Sequence, residues 1–172
     1  MNKKIKIINP FIIIIAKNEQ LPVLFDKVGH HSFPDLVFEW GTLHTGDYSI
    51  KGMTDPANPH SVTIERKSLS DLFGSTGRGR ERLEKEFIRM SKFDHSEIVI
   101  EDDLKAIFKD PPPLSEMLPK SVYRTLVAWS QRYGVKVWPC PNREFMEQHI
   151  YITLKRFWDD RQRNGAMEFS KI

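Results

Sequence analysis

Gly46-Asp47 stands at the head of a short apolar segment, Glu65-Arg66-Lys67 lies near the end of another, and Asp71 follows four residues after Lys67. If Ser61 to Ser68 is a strand, its alternation puts Val62 and Ile64 on one face and Thr63, Glu65 and Lys67 on the other. If a strand opening at Asp47 pairs beside it, Asp47 joins Glu65 and Lys67 at one sheet edge. Two carboxylates and an ammonium gathered there repel or lose hydration at a cost, unless something offsets it. A divalent cation would. Mg²⁺ takes a few carboxylate oxygens, keeps several waters and leaves room for a phosphate. Asp47 and Glu65 are the natural ligands, with the main-chain carbonyl of Arg66 as a third. Such an ion polarises a phosphoryl oxygen and acidifies water. Lys67 could hold or deprotonate the attacking water, or neutralise charge on a pentavalent phosphorus. The chemistry is phosphodiester hydrolysis. A Glu-x-Lys pair on a strand is by itself ordinary on a solvated face, and so is a Gly-Asp turn. Their order and their placement on these elements are what make the pattern specific.

The elements that must position these residues read as follows. Phe11 to Ala16 is apolar on both faces, which suits a strand covered on both sides. Leu36 to Leu43 is a second strand, and a third begins at Asp47 after Thr45-Gly46. Lys51 to His60 is a loop rich in Gly, Asp, Asn and Pro, and Ser61 to Ser68 is the fourth strand. Ser70 to Phe73 forms a short helical turn, followed by a flexible Gly74 to Gly79. Arg80 to Lys92 is a helix with the stripe Leu83, Phe87, Met90. Glu97 to Ile100 is a fifth strand, and Pro111 to Pro113 a stiff loop. Lys120 to Tyr133 is a helix with the stripe Val122, Leu126, Trp129, Tyr133, ended by Gly134. Val135 to Trp138 is a sixth strand. Asn142 caps a last helix that turns Met146, Ile150, Leu154 and Phe157 inward, and the polar tail from Asp159 frays. Strands first, then helix alternating with strand, describe an α/β domain with a mixed sheet covered by helices.

The 172 residues suit a single domain, with its core over about 11–158 and the tail over 159–172. A hydrophobic share of 40% is ordinary for a globular chain, and a net charge of +3 is only weak support for a polyanionic partner. The single cysteine, Cys140, allows no internal disulfide and no zinc cage, so the expected setting is a reducing one, cytoplasmic or nuclear and not secreted. Lys3, Lys4 and Lys6 before an apolar run loosely mimic a signal peptide, but Asn9 and Pro10 interrupt it, and the unbroken run is too short to span a bilayer.

Other residues carry weaker signals. Arg78, Arg80 and Arg82 stand in a Gly-rich context and suit phosphate contact, although Glu81, Glu84 and Glu86 offer an ordinary pairing, to which Arg82 is assigned. His30, His31 and His44 read as surface residues of polar loops. Trp40, Trp129 and Trp158 could stack on bases, but Trp129 falls on an apolar stripe and belongs to the core. Cys140 is a small packed residue. Lys155, Arg156, Arg161 and Arg163 on the last helix either meet DNA or solvate the surface.

The stretch Thr45-Gly46-Asp47-Tyr48, then Ile64-Glu65-Arg66-Lys67-Ser68 and Asp71-Leu72, resembles the nuclease domain of XPF-type structure-specific endonucleases. That family is a branch of the PD-(D/E)XK, restriction-endonuclease-like fold, and every residue of its signature, GD followed by ERKxxxD, is present. The resemblance runs from about Phe11 to Leu154. It implies a restriction-endonuclease-like α/β fold, with a mixed central sheet flanked by helices. It implies Mg²⁺ or Mn²⁺ at Asp47 and Glu65, Lys67 beside them, and Asp71 in support, orienting Lys67 or Arg66. It implies a DNA partner gripped by Arg66, Arg78 and Arg80, and branched substrates such as flaps, forks or junctions, in repair or recombination. It also implies a homodimer or heterodimer through this domain, sought on the apolar side of the last two helices. Larger relatives carry a tandem helix-hairpin-helix domain. Too few residues follow the last helix for one, so DNA selection is expected from this domain, from dimerisation or from a partner chain. One departure stands out. Where the family opens with an acid, a spacer, Arg and Glu, this chain has Ala16, Lys17, Asn18 and Glu19. Glu19 remains as a further metal ligand, but the loss puts a second ion in question. The rival readings are a non-catalytic DNA-binding scaffold subunit and a restriction-type or resolvase-like nuclease.

Overall fold

A computed structural model describes residues 9–25, 36–113 and 115–169. Six strands form one mixed sheet, β1 (Ile12–Ala16), β2 (Val37–Gly41), β3 (Tyr48–Ile50), β4 (Val62–Lys67), β5 (His95–Ile100) and β6 (Lys136–Pro139), in the order β2-β1-β3-β4-β5-β6. β1 runs parallel to β2 and antiparallel to β3, β3 is antiparallel to β4, and β4, β5 and β6 are parallel. The sheet is flanked by α1 (Leu69–Thr76), α2 (Arg80–Met90), α3 (Leu104–Lys109), α4 (Pro119–Tyr133) and α5 (Arg143–Phe169).

Strand alternation splits the core in two. Ile13, Ile15, Tyr48, Ile50, Val62, Ile64 and Val99 point to one face and pack under Met146, Ile150, Leu154 and Phe157 of α5. Ile98 and Ile100 point to the other, under Leu72 and Phe73 of α1, Leu83, Phe87 and Met90 of α2, and Val122, Leu126 and Trp129 of α4. Each such side chain contributes roughly 1.5–3 kcal/mol when fully buried. Every inward stripe named from the 3.6 period is therefore in the core, with Tyr133 packed partly buried at its margin. The caps follow the same logic. Gly134 ends α4 with φ of 70°, the left-handed conformation a side chain resists. Asn142 Oδ1 accepts the Phe145 N–H at 2.8 Å to start α5.

Four expectations need correction. The segment from Ser70 is a full two-turn helix rather than one turn and a flexible stretch. Ser68 Oγ caps it at the Asp71 N–H, Leu72 and Phe73 are buried, and the Thr76 hydroxyl bonds back to Leu72 O, so Gly74 is carried within it. α3 is an element the periodicities do not announce. Asp103 caps it at the Ala106 N–H and Ile107 is fully buried, a cap-plus-apolar signal legible at 103–107. α5 does not fray at Asp159 but continues to Phe169. Lys155–Asp159 and Arg156–Asp160 pair at i, i+4, and Arg161 pairs with Asp94 while lying over the Phe157 ring. Finally, the apolar sides of α4 and α5, the expected place of a dimer contact, are spent on the core of this chain. His30 and His31 lie outside the described residues, as do Lys3, Lys4 and Lys6. No described helix is long and apolar enough to cross a membrane.

Candidate active site

The pairing of β3 with β4 builds the site. Tyr48 is in register with Ile64, and Asp47, one residue before β3, donates its N–H to Ile64 O at 2.7 Å. Tyr48 and Ile64 both face α5, so Asp47 turns to the other face, which Glu65 and Lys67 share. Gly46 makes the entry possible. Its φ is +77°, and a Cβ there would lie 2.1 Å from Thr63 Oγ1, itself bonded to Thr45 O at 2.7 Å. β1 closes the corner, its Ala16 N–H donating to Asp47 O at 2.8 Å.

The side chains form two ion networks. In the first, Lys67 Nζ lies 2.6 Å from Glu65 Oε1 and 3.2 Å from Glu86 Oε2 of α2. In the second, the buried Arg66 guanidinium bridges Glu19 at 3.1 Å and Glu101 at 2.5 Å. Glu101 also holds Arg143, which fastens the 19–22 turn through Leu21 O and Pro22 O. Asp47 links the two, because its Oδ2 accepts the Arg66 main-chain N–H at 2.8 Å. Asp47, Glu65 and Lys67 line a polar cleft of about 470 Å³ between α1, α2 and the turn after β1. A larger cavity of about 730 Å³ on the far side of α1 contains none of the three.

Burial sets the carboxylates of the cleft apart from ordinary ones. Burial pushes the Asp47 carboxyl up to about 6, against the pull of the Arg66 N–H and with a further push from Glu19. Burial and the neighbouring Asp47 charge raise Glu65 well above the usual carboxylate range. Burial alone would lower Lys67, but Glu65 and Glu86 outweigh it, so the ammonium keeps its proton above the ordinary lysine value. Among the described residues, no three His, Cys, Asp or Glu side chains converge as a ready-made metal cage. The donor set nevertheless suits a hard, partly hydrated ion. It comprises two mutually repelling carboxylates and a main-chain carbonyl at an open cleft. On β4 the peptide groups of Ile64 and Arg66 are aimed at Asp47, as the two bonds above show, so the Arg66 carbonyl shares that side.

Of the other expected residues, Glu19, Arg66 and Asp71 line the same cleft, whereas Arg78 and Arg80 line the larger cavity. Glu19 reaches the cleft, but its Oε1 is taken by Arg66 and by the Leu21 N–H, which makes it a counter-ion to Arg66. Arg66 is 9% exposed and neutralised on both sides, so it does not present itself to a phosphate. Asp71 is exposed at the cleft rim in the first turn of α1, while Lys67 and Arg66 take other carboxylates as partners, so the support expected of Asp71 falls to Glu65, Glu86, Glu19 and Glu101. Arg80 bonds Thr125 Oγ1 at 3.0 Å with its guanidinium 4.7 Å from the Trp129 ring centroid, and it lines the larger cavity with the exposed Arg78. Trp129 is core, Trp40 is 47% exposed on the edge strand, and Trp158 packs on Phe11. Cys140 is buried, and burial pushes its thiol up to about 11, which leaves it a poor nucleophile. Glu86 is the site residue that the motif does not name. It lies between Leu83 and Met90 at helical spacing, so the stripe that seats α2 also brings Glu86 to the site.

A family model described as the ERCC4 domain matches residues 28–153. Among solved structures, XPF from Aeropyrum pernix matches with a TM-score of 0.62 at 20% identity, over 92% of this chain and 69% of that one. XPF from Aeropyrum pernix in complex with DNA matches with a TM-score of 0.61 at 18% identity, over 88% and 66%. The chain thus spans about two thirds of the length of these structures. No curated protein sequence matches.

Proposed function

The chain belongs to the ERCC4 domain family, and from that premise we propose that it is a divalent-cation-dependent endonuclease hydrolysing DNA phosphodiester bonds at flaps, forks or junctions. The observation that carries the reading is the convergence of Asp47, Glu65 and Lys67 at the polar cleft. Likeness to XPF from Aeropyrum pernix, one structure of which is a complex with DNA, supports the choice of polymer.

Asp47, Glu65 and the Arg66 carbonyl would hold Mg²⁺ or Mn²⁺. That ion would supply polarisation of the phosphoryl oxygen and acidification of water. The rest falls to the chain. Asp47 is fixed to β4 by the Arg66 N–H and to β1 through its own carbonyl, so its carboxylate is pre-positioned. Lys67 keeps its proton under the influence of Glu65 and Glu86. Its ammonium would neutralise charge growing on the phosphorus oxygens. Glu86 and Glu65 hold that ammonium from two sides. The Arg66–Glu19–Glu101–Arg143 chain keeps the opposite wall in place.

The decisive experiment compares nicking of flap, fork, four-way junction and plain duplex with Mg²⁺, with Mn²⁺ and with chelator. Asp47→Ala and Lys67→Ala are expected to lose cutting while retaining DNA binding. Flap cutting by both variants at the unaltered rate would refute the assignment. A second reading, a DNA-binding scaffold subunit without catalysis, draws on Ala16, which is fully buried where the family carries an acid. It requires binding without cutting by the unaltered protein in the same assay. Dimerisation through this domain would use the exposed Trp138, Phe145 and Ile152 rather than the buried helix stripes.

A further inference from the structure

Arg66, the arginine of the motif, is committed to two carboxylates, so the cleft needs another grip on a polyanion. Of the arginines lining it, the other two are Arg82 and Arg89, both exposed and both on α2. Among the described residues neither side chain takes part in an ion pair or a hydrogen bond, in contrast to Arg66, Arg80, Arg132 and Arg143.

Their spacing is informative. Residues 82, 86 and 89 fall within about 60° of one another around a helix of 3.6 residues per turn, one residue round from the buried stripe Leu83, Phe87, Met90. The middle member, Glu86, is bonded to Lys67 Nζ at 3.2 Å. The stripe is thereby pinned at its centre over the reacting groups, with one unpaired guanidinium a turn to either side. Seven residues at 1.5 Å rise put the two Cα atoms roughly 10 Å apart, so two long arginine side chains can reach phosphates on either side of a central one. Arg82 also stands in the first turn of α2, at the positive end of the helix dipole, where a cation is disfavoured. Helix stability therefore does not account for an arginine there.

We propose that Arg82 and Arg89 form a two-point phosphate clamp that seats one nucleic-acid strand across the cleft, with its scissile phosphate held between them over Lys67. The inference rests on the nucleic-acid reading above and deepens it. Contacts of this kind fix position without reading bases, so the clamp acts alike on branched and linear DNA. It sits on a helix anchored by core residues, so its geometry is set before substrate arrives.

The test is equilibrium binding of fluorescent fork and linear duplex, without added divalent cation so that no cutting intervenes, over a series of salt concentrations. The double variant Arg82→Ala/Arg89→Ala is expected to bind about tenfold more weakly or worse on both DNAs. Its slope of log affinity against log salt should be smaller by about 2, near 0.9 for each phosphate no longer neutralised. Thermal melting of the variant, expected to match the unaltered protein, excludes a folding defect. The control Arg156→Ala/Arg163→Ala removes two cations from α5, on the opposite face of the sheet, and should leave the slope unchanged. An equal fall in slope in both double variants, or none in the α2 variant, overturns the clamp while the nuclease reading stands. Failure of the unaltered protein to bind any DNA overturns that reading, and the clamp with it.

Discussion

Asp47 Oδ2 accepts the main-chain N–H of Arg66 at 2.8 Å, so the acid at the start of one strand is locked to the backbone of the strand that bears Glu65 and Lys67. The lock holds a carboxyl that burial raises to about 6 from its ordinary 3.8. Between those values the unfolded chain is ionised at this position while the folded chain keeps its proton. Stability from this group therefore falls as pH rises through the window, and the full cost is present above about 6.

In chelator at pH 8, Asp47→Asn should accordingly be more stable than the unaltered protein by about 3 kcal/mol, because a tenfold change in acidity on folding is worth about 1.4 kcal/mol. The gain should vanish below pH 4. Asp47→Ala loses the acceptor as well and should forfeit about 1–3 kcal/mol through the unsatisfied Arg66 N–H. Urea unfolding at the two pH values measures both effects. Equal stability of Asp47→Asn and the unaltered protein at pH 8 would show that Asp47 is not strained by its surroundings.

Lys67 holds two partly buried carboxylates together, so its removal should be felt before any substrate binds. Lys67→Ala should cost about 3 kcal/mol in chelator, because Glu65 and Glu86 lose their counter-ion, and excess Mg²⁺ should restore part of that loss. Glu86→Gln keeps the size and loses the charge. Its kcat for nicking should fall about tenfold with KM nearly unchanged, because the ammonium is less firmly held while the DNA-facing surface is intact. A change confined to KM would assign Glu86 to binding instead.

Gly46 offers a conformational test. At φ of +77° and with Thr63 Oγ1 where a Cβ would go, Gly46→Ala should destabilise by roughly 2 kcal/mol or more. It should also move Asp47 away from Ile64 O. Gly46→Ala with Thr63→Ala removes the contact with Thr63 Oγ1 but neither the backbone strain nor the Ile64 O 3.0 Å from the Cβ position, so it should recover only part of the loss. Full recovery of thermal stability in the double variant would show that the left-handed conformation is not needed.

Arg66 separates a structural from a DNA-binding arginine. Arg66→Lys cannot span Glu19 and Glu101 together, and should destabilise the domain by about 2 kcal/mol and slow nicking. In Arg66→Gln, which removes the charge, the salt dependence of DNA binding should stay that of the unaltered protein, because this guanidinium meets carboxylates and not phosphate. A slope lower by about 1 would make it a phosphate contact.

The amino-acid sequence alone determined the features that depend on short periods. The alternation of Val62 and Ile64 against Thr63, Glu65 and Lys67 placed the candidate groups on one face of β4. The 3.6 period of α2, α4 and α5 named side chains that proved buried. These signals are local, because a strand or helix reaching its core must repeat at its own pitch. The tertiary structure alone decided the partners. Glu19, Arg66 and Glu101 are far apart along the chain and meet only because β1, β4 and β5 end at the same side of the sheet. Glu86 reaches Lys67 only once α2 is seated by Leu83, Phe87 and Met90. Charged side chains carry no period of their own. Whether an arginine is a buried counter-ion like Arg66 or a free cation like Arg82 is settled by which carboxylates the folded chain brings within about 4 Å.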